Sequence, residues 1–290
     1  MDKTKFLKNF ERAEGSPCLD YKEISLRISQ LGFELDASNL ENCNQNLVGW
    51  TFCNCGPKPV YRTCKLSICP HCRKIRAYKI FNRFHQKLQS YRIARSIFDP
   101  GLRFLTLTIK SNSDLKASDA FIRQAFHKFK MMSYVKERIT SGFYVIEHKK
   151  TDENLWHVHI HAIIFSKYMD IRNVKLGKKS KLLASWNKAV GYESNIDIRR
   201  ITSHKGALNY VLGYLTKSNF KTEQDVVEYY FKLANKRMFA TFGKRGELYC
   251  LGHFHVKICN KCGVPYTFEP LSIFYYDFES NQKKLQPECC

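Results

Sequence analysis

Apolar and polar residues alternate through the stretch LWHVHIHAIIF at residues 155–165. Every second side chain of a β-strand projects from the same face, so the pattern predicts a strand with His157, His159 and His161 on one face. Exposed strand faces usually carry Thr, Lys, Glu or Ser, whereas imidazole is a common metal ligand. We therefore interpret this strand as a metal-binding element; the alternative is an exposed strand that carries histidine by chance.

Three other stretches are rich in β-forming residues and predict strands at 102–112, 142–150 and 195–202. The polar loop TDEN separates the second of these from the histidine strand. Because a loop this short joins antiparallel neighbours, the two strands form a predicted hairpin.

Apolar residues recur elsewhere at three- and four-residue steps, which predicts amphipathic helices. One predicted helix starts at Arg73, and others cover 116–137, 181–190, 204–218 and 223–238. Helices interspersed with antiparallel strands indicate an α+β fold.

The charge balance points to a partner. The 290 residues contain 48 Lys and Arg against 26 Asp and Glu, a formal charge of +22. This excess is the electrostatic signature of a protein that binds a phosphate backbone, so nucleic acid is the expected partner. A basic membrane-surface protein is the alternative, but the charge is spread along the chain among 16 Tyr and 21 Phe. With no signal peptide and no spanning apolar run, we expect a cytoplasmic protein and no membrane partner.

The chain has twelve cysteines, which in the absence of an export signal indicate metal ligands before disulfides. The segment CNCGPKPVYRTCKLSICPHC at 53–72 ends in a CxxC pair, a spacing typical of a small zinc site. The alternative is a set of unligated buried thiols. The favoured zinc ligands are Cys55, Cys64, Cys69 and Cys72, with Cys53 as the substitute.

The helix that starts at Arg73 carries a basic stripe. Its members are Arg76, Lys79, Arg83 and Lys87. Such a stripe is either a solvated helix face or a surface that contacts DNA phosphates.

The histidine strand and its hairpin partner offer a mixed set of metal ligands. His159 and His161 supply imidazoles, and Glu147 on the partner strand supplies a carboxylate. Such a set leaves open coordination positions and suits Mn²⁺ or Mg²⁺ acting on a phosphoryl group. Weaker candidates are Asp152 and His148, and His157 is assigned to the outer layer of the metal site or to a phosphate contact.

The helix at 204–218 places Tyr210, Tyr214 and Lys217 on one stripe. Two tyrosines on one helix face are usually core residues whose hydroxyls reach water or a partner. Beside a metal site that polarises phosphate, we instead interpret the two tyrosines as nucleophiles that form a covalent ester with DNA. Lys217 would offset the negative charge that develops.

The order FLTLT, HVHIHAIIF and YVLGYLTK resembles the three motifs of HUH endonucleases, over residues 102–218. Within that superfamily the chain looks most like rolling-circle replication initiators of plasmids and small phages. The cysteine segment is similar to one that plasmid initiators and two-tyrosine transposases carry before the first motif.

The resemblance implies an HUH domain with a central antiparallel sheet of about five strands. It implies that His159 and His161 bind a divalent metal, with Glu147 as third ligand, and that Tyr214 is the primary nucleophile. Many single-tyrosine initiators have an acidic residue four positions before the nucleophile, where this chain has Tyr210, as in the two-tyrosine branch. Gly213 also departs from the pattern, since relatives often have lysine there.

The expected function is therefore nicking of single-stranded and origin double-stranded DNA, with a 5′ phosphate held on tyrosine. Host helicase and polymerase would be further partners, and the gene would belong to a plasmid or virus. One alternative is a two-tyrosine transposase; the other is a non-enzymatic zinc-containing DNA-binding regulator.

Four consecutive segments are expected. They are an unassigned segment at 1–50, a zinc module with the basic helix at 51–95, the HUH domain at 96–220 and a C-terminal region at 221–290. The C-terminal region contains a candidate second zinc site, for which the candidate ligands are Cys250, His253, His255, Cys259 and Cys262, with Cys289 and Cys290 as decoys.

Overall fold

The structure is a computed structural model of the 290-residue chain. It describes residues 19–94, 101–167, 169, 180–201, 204–216, 220–243, 259, 262, 267–270, 274–277 and 282–285. Within these, side chains are not described at 86–94, 204, 268–270, 274–277 and 282–285.

Helices and strands alternate along the described chain. The helices are α1 Tyr21–Gln30, α2 Glu34–Glu41, α3 Pro70–Ala94, α4 Leu115–Met131, α5 Ser133–Arg138, α6 Lys181–Val190, α7 His204–Thr216 and α8 Glu223–Leu233. The strands are β1 Leu47–Cys53, β2 Gly56–Tyr61, β3 Gly101–Thr108, β4 Ile139–Lys150, β5 Trp156–Ser166, β6 Ile196–Arg200, β7 Phe239–Gly243, β8 Thr267–Pro270, β9 Phe274–Asp277 and β10 Gln282–Leu285.

Five strands form an antiparallel sheet in the order β6-β3-β5-β4-β7. This confirms the predicted α+β class with a five-stranded antiparallel sheet and flanking helices. The histidine strand β5 lies at the centre, where both edges are paired and side chains are held in a fixed register.

Helices cover both faces of this sheet. On one face, Phe126 of α4 packs against Tyr144 and Phe242. On the other face, Phe84 of α3 packs against Phe143 and Phe239. The second face also carries His159, His161 and Glu147, and we call it the histidine face.

Helix α8 contacts the β4–β5 hairpin at the residues that flank its loop. The ammonium of Lys150 in β4 lies 3.2 Å from a Glu228 carboxylate oxygen, and the indole of Trp156 in β5 donates to the other oxygen at 3.1 Å. Lys150 is buried, and a buried ammonium needs such a partner. The hairpin that carries Glu147 and the histidines is thus held at both strands.

The predicted helix at 116–137 is two helices in the structure. Met132 has extended backbone angles, φ −69° and ψ 137°, and it ends α4 and precedes α5. The hydrophobic period continues across this break, which is why the sequence pattern did not show it.

The chain divides into two compact units. The large unit comprises Met1–Asp20 and Arg73–Leu251, and the small unit comprises Tyr21–Cys72 and Gly252–Cys290. The small unit thus takes two segments that lie far apart in the sequence. Helix α8 and strand β7 belong to the large unit.

The small unit contains a three-stranded antiparallel sheet in the order β2-β1-β8. Helices α1 and α2 precede it, in the segment left unassigned from the sequence, and the Ser25 hydroxyl of α1 donates to the Ala37 carbonyl of α2 at 2.8 Å. Strands β9 and β10 form a separate antiparallel pair.

A membrane-crossing helix is not found in the described part of the chain, where each helix is too short or too polar to span a bilayer.

Candidate active site and metal centres

The central position of β5 sets the neighbours of its histidines. On one side, Thr106 of β3 lies opposite His161 and Thr108 lies opposite His159. On the other side, Glu147 of β4 lies opposite His159. Because opposite residues in a sheet project from the same face, five polar side chains meet on the histidine face.

The threonines orient the imidazoles. Thr106 Oγ1 lies 3.3 Å from His161 Nδ1, and Thr108 Oγ1 lies 3.1 Å from His159 Nδ1. A hydroxyl that holds Nδ1 fixes the ring and leaves Nε2 as the nitrogen that a metal would take. The carbonyl of Thr108 accepts hydrogen bonds from the Trp186 indole at 2.9 Å and the Ser194 hydroxyl at 2.6 Å, which anchors this end of β3.

Glu147 reaches diagonally across the sheet to His161. Its Oε2 lies 2.8 Å from His161 Nε2, and both side chains are buried. The predicted third ligand is therefore within reach of the predicted histidines, although its partner is His161 rather than the directly opposite His159.

Among the described residues, only two cysteine groups bring their donor atoms within 4.8 Å of one another. The donor atoms of His159, His161 and Glu147 do not all meet this spacing, although Glu147 Oε2 lies 2.8 Å from His161 Nε2. These donors, two oriented imidazoles and a carboxylate on one face, nevertheless fit a divalent ion of the Mn²⁺ or Mg²⁺ type.

Burial keeps His159 in the form that binds metal. Desolvation, assisted by the neighbouring His157, lowers the pKa of His159 to about 4. The imidazole is therefore neutral at physiological pH, as a metal ligand must be.

Tyr214 of α7 lies flat on His161. The ring centroids are 3.6 Å apart and the ring planes differ by 5°. Tyr210, one turn earlier, contacts Tyr214 edge-on at 5.2 Å between centroids and contacts Phe104 edge-on at 4.9 Å. Both predicted tyrosines thus lie over the histidine face, with Tyr214 half-buried and Tyr210 52% exposed.

Burial also affects the Tyr214 phenol. It raises the pKa of Tyr214 above its ordinary value, and a hydrogen bond with Tyr210 acts in the same direction. Arg199 of β6 acts in the opposite direction. A phenol in this setting is protonated at neutral pH and needs help to act as a nucleophile.

Sequence reasoning missed the contribution of β6. Arg199 lies opposite Phe104 and Asp197 lies opposite Thr106, so both belong to the histidine face, and they form an ion pair at 2.7 Å. The alternation of IDIRR is a signal that could have pointed to them.

The remaining predicted site residues have varied positions. The ring centroids of His157 and His159 lie 4.1 Å apart. His148 is on the opposite face and bonds Asp119 at 3.1 Å, so it is not a candidate ligand. Asp152 pairs with Lys221 in the loop region. Lys217 lies outside the described residues.

The basic stripe lies on α3, as expected for a helix. Lys79 and Arg83 are exposed and Arg76 is partly exposed, whereas the side chain of Lys87 lies outside the described set. Phe84 of the same helix packs on the sheet, which leaves Lys79 and Arg83 on the outer side.

The first cysteine cluster comprises Cys43, Cys64, Cys69 and Cys72. Cys72 Sγ lies 3.6 Å from Cys43 Sγ and 3.5 Å from Cys64 Sγ. The Lys65 amide donates to Cys72 Sγ at 3.2 Å, and the hydrogen bonds from Cys64 and Cys69 lower the pKa of Cys72. Four cysteine sulfurs at such spacing, with the thiolate of Cys72 stabilised, are suited to a zinc ion.

This cluster corrects the predicted ligand set in one position. Cys55 is not with Cys64, Cys69 and Cys72, and Cys43 takes its place. Cys43 lies 21 residues before Cys64, with the whole β1–β2 hairpin between them. The hairpin brings its two ends together, so that sequence proximity favoured the wrong cysteine.

The second cluster comprises Cys53, Cys55, Cys259 and Cys262. Cys259 is buried, and its Sγ lies 3.9 Å from Cys55 Sγ. The other candidate ligands from the sequence, Cys250, His253 and His255, lie outside the described residues. None of the eight described cysteines forms a disulfide.

A family model described as a replication protein, Rep_1, matches residues 60–246, which is more than half of the chain. The matched segment contains the threonine strand, the histidine strand and the tyrosine helix. Comparison with the curated proteins and with the solved structures gives no significant match. The family agrees with the resemblance to rolling-circle initiators of the HUH superfamily, and the chain belongs to the Rep_1 replication protein family.

Proposed function

We propose that the protein is an HUH-type initiator of rolling-circle replication that nicks one DNA strand and holds the 5′ end on a tyrosine. The observation that carries this proposal is the contact of Tyr214 with His161, at 3.6 Å between ring centroids. A tyrosine that only filled the core would not need to cover a row of oriented histidines and a buried carboxylate.

The reaction is a transesterification. The Tyr214 oxygen attacks the phosphorus of a phosphodiester, a bond forms between that oxygen and phosphorus, and the bond to the 3′ oxygen breaks. The phenol proton is lost to the surroundings, and the leaving 3′ oxygen takes up a proton to become a hydroxyl, so the step is balanced without a further reactant. The free 3′ hydroxyl is a primer for a polymerase.

The residues of the histidine face would hold the divalent ion that the family chemistry requires. His159, His161 and Glu147 are its proposed ligands, with Thr106 and Thr108 as positioning residues. When bound, the ion supplies Lewis-acid polarisation of the scissile phosphate. Arg199 adds positive charge near Tyr214, which favours the phenolate character that develops during attack.

Tyr210 is the proposed nucleophile for a second strand transfer. Residues four positions apart on a helix lie on the same face, and the two tyrosine rings are in contact. Both hydroxyls can therefore serve one phosphate position in turn.

Two further features belong to the proposed function. We assign DNA phosphate contacts to the stripe Arg76, Lys79, Arg83 and Lys87 on α3, and a structural zinc ion to the first cysteine cluster. The net charge of +22 agrees with binding of the phosphate backbone of either single-stranded or origin duplex DNA.

The test is to incubate the purified chain with single-stranded origin DNA and Mn²⁺ and to separate the products on a denaturing gel. We expect a protein–DNA adduct and a released oligonucleotide with a 3′ hydroxyl. DNA binding without any adduct would support the non-enzymatic regulator instead.

A further inference from the structure

The second cysteine cluster draws its members from two distant parts of the sequence. Cys53 ends β1 and Cys55 lies in the tight turn before β2, whereas Cys259 and Cys262 come some 200 residues later. These two pairs have the spacings CxC and CxxC, and each spacing lets both sulfurs reach one ion.

The sheet of the small unit brings the pairs together. Strand β8 pairs with β1 so that Thr267 lies opposite Phe52. Thr267 lies five residues after Cys262, and its partner Phe52 lies immediately before Cys53. The β1–β8 pairing and the sulfur contacts are separate observations, and both place the late cysteines at the hairpin turn.

The sulfur positions match a tetrahedral metal site. A zinc–sulfur bond of about 2.3 Å in tetrahedral geometry separates neighbouring sulfurs by about 3.8 Å. Cys55 Sγ and Cys259 Sγ are 3.9 Å apart, and all four sulfurs lie within 4.8 Å of one another. A disulfide would need a separation of about 2.05 Å instead.

We propose that Cys53, Cys55, Cys259 and Cys262 hold a second structural zinc ion that fastens the C-terminal segment to the β1–β2 hairpin. The ligands of the two clusters interleave along the chain, because Cys53 and Cys55 fall between Cys43 and Cys64. The small unit is then complete only when its two segments, Tyr21–Cys72 and Gly252–Cys290, are both present.

Zinc content of the full chain tests the proposal. We expect two zinc ions per wild-type chain and one fewer in Cys259→Ser/Cys262→Ser. The matched control is Cys289→Ser/Cys290→Ser, which changes another late cysteine pair and should keep two. Cys43→Ser/Cys64→Ser should remove the other ion. One zinc in the wild type, or two in Cys259→Ser/Cys262→Ser, would overturn the proposal.

Two further measurements separate loss of a ligand from general misfolding. Cys259→His keeps a metal ligand and should retain both ions. In Cys259→Ser/Cys262→Ser, amide hydrogen exchange should accelerate in β1 and β8 while β3, β4 and β5 keep wild-type protection. Unchanged exchange in β1 would contradict a fastening role for the ion.

Discussion

The ring of Tyr214 stacks on the ring of His161, with centroids 3.6 Å apart and planes within 5°. The stacked histidine is also the one whose two nitrogens face Thr106 and Glu147. One imidazole therefore links the proposed nucleophile, the proposed metal ligand set and the threonine strand. Residues of the three sequence motifs therefore lie together at one place in the large unit.

Replacing both His159 and His161 with Ala is expected to lower the rate of adduct formation by about 100-fold or more, because the proposed metal ligands are lost. DNA affinity should change little, since it depends on distributed Lys and Arg contacts. His127→Ala, an exposed histidine of α4, is the control. Nicking assays with a parallel binding titration check this, and metal-dependent cleavage by the double variant would refute the assignment.

The threonines provide a test that is specific to the structure. Thr106→Val and Thr108→Val keep the side-chain shape and remove the hydroxyl that holds each Nδ1. We expect the Mn²⁺ concentration for half-maximal nicking to rise about 10-fold or more, in the range found for groups that orient metal ligands. Thr140→Val, at the opposite end of β4 from Glu147, should leave that Mn²⁺ concentration unchanged. Equal behaviour of all three variants would exclude a positioning role.

Features of this site that depend on residues close together in sequence could be predicted, whereas features that depend on which strands are neighbours could not. The two-residue alternation of β5 fixed the common face of the histidines, because that period is local. The partner of Glu147 could not be read in the same way, since the carboxylate reaches past His159 to His161. The contribution of Thr106 and Thr108 depends on β3 being the neighbour of β5, which is a matter of sheet order.

The cysteines illustrate the same limit. Spacing predicted that Cys64, Cys69 and Cys72 act together, because they are within nine residues of one another. It did not predict Cys43, nor the pairing of Cys55 with Cys259, because hairpin closure and the β1–β8 pairing decide those contacts.

Acid should destabilise the large unit through His148. Burial lowers the pKa of His148, although its hydrogen bond to Asp119 acts in the opposite direction. The unfolded chain, with a histidine pKa of about 6.5, then binds a proton that the folded chain does not. Stability is therefore retained above pH ~6.5 and falls as pH drops below it, by up to about 1.4 kcal/mol per pH unit for this residue.

The measurement is the Tm between pH 7.5 and pH 5 for the wild type and His148→Gln. The glutamine amide keeps a donor for Asp119 but does not titrate, so the variant should lose part of the pH dependence. Buried His159 accounts for a further part. His127→Gln should keep the wild-type slope, and an identical slope in His148→Gln would show that this histidine is not responsible.

Lys79→Ala/Arg83→Ala should weaken binding to single-stranded DNA of any sequence. If both residues contact phosphates, the slope of log K against log salt should become shallower by about 1.4. Lys116→Ala/Lys128→Ala removes two exposed cations from α4, on the opposite face of the sheet, and serves as the control. Equal slopes for the two double variants would place the DNA elsewhere.

The tyrosines separate the two transfer steps. Tyr214→Phe should form no adduct on a single-stranded origin oligonucleotide, because the proposed first nucleophile is lost. Tyr210→Phe should still form the adduct but fail to pass the strand to a second DNA end. Denaturing gels with labelled donor and acceptor strands follow both steps, and adduct formation by Tyr214→Phe would reverse the order.

Mass spectrometry of the DNA-linked peptide directly identifies the residue that carries the DNA. The wild-type protein is reacted with a single-stranded origin oligonucleotide and Mn²⁺, digested, and the nucleotide-bearing residue is located. We expect a phosphodiester-linked nucleotide on Tyr214. A modification found only on Tyr210 would contradict the assigned nucleophile, and a cleaved strand with neither tyrosine modified would contradict the covalent mechanism.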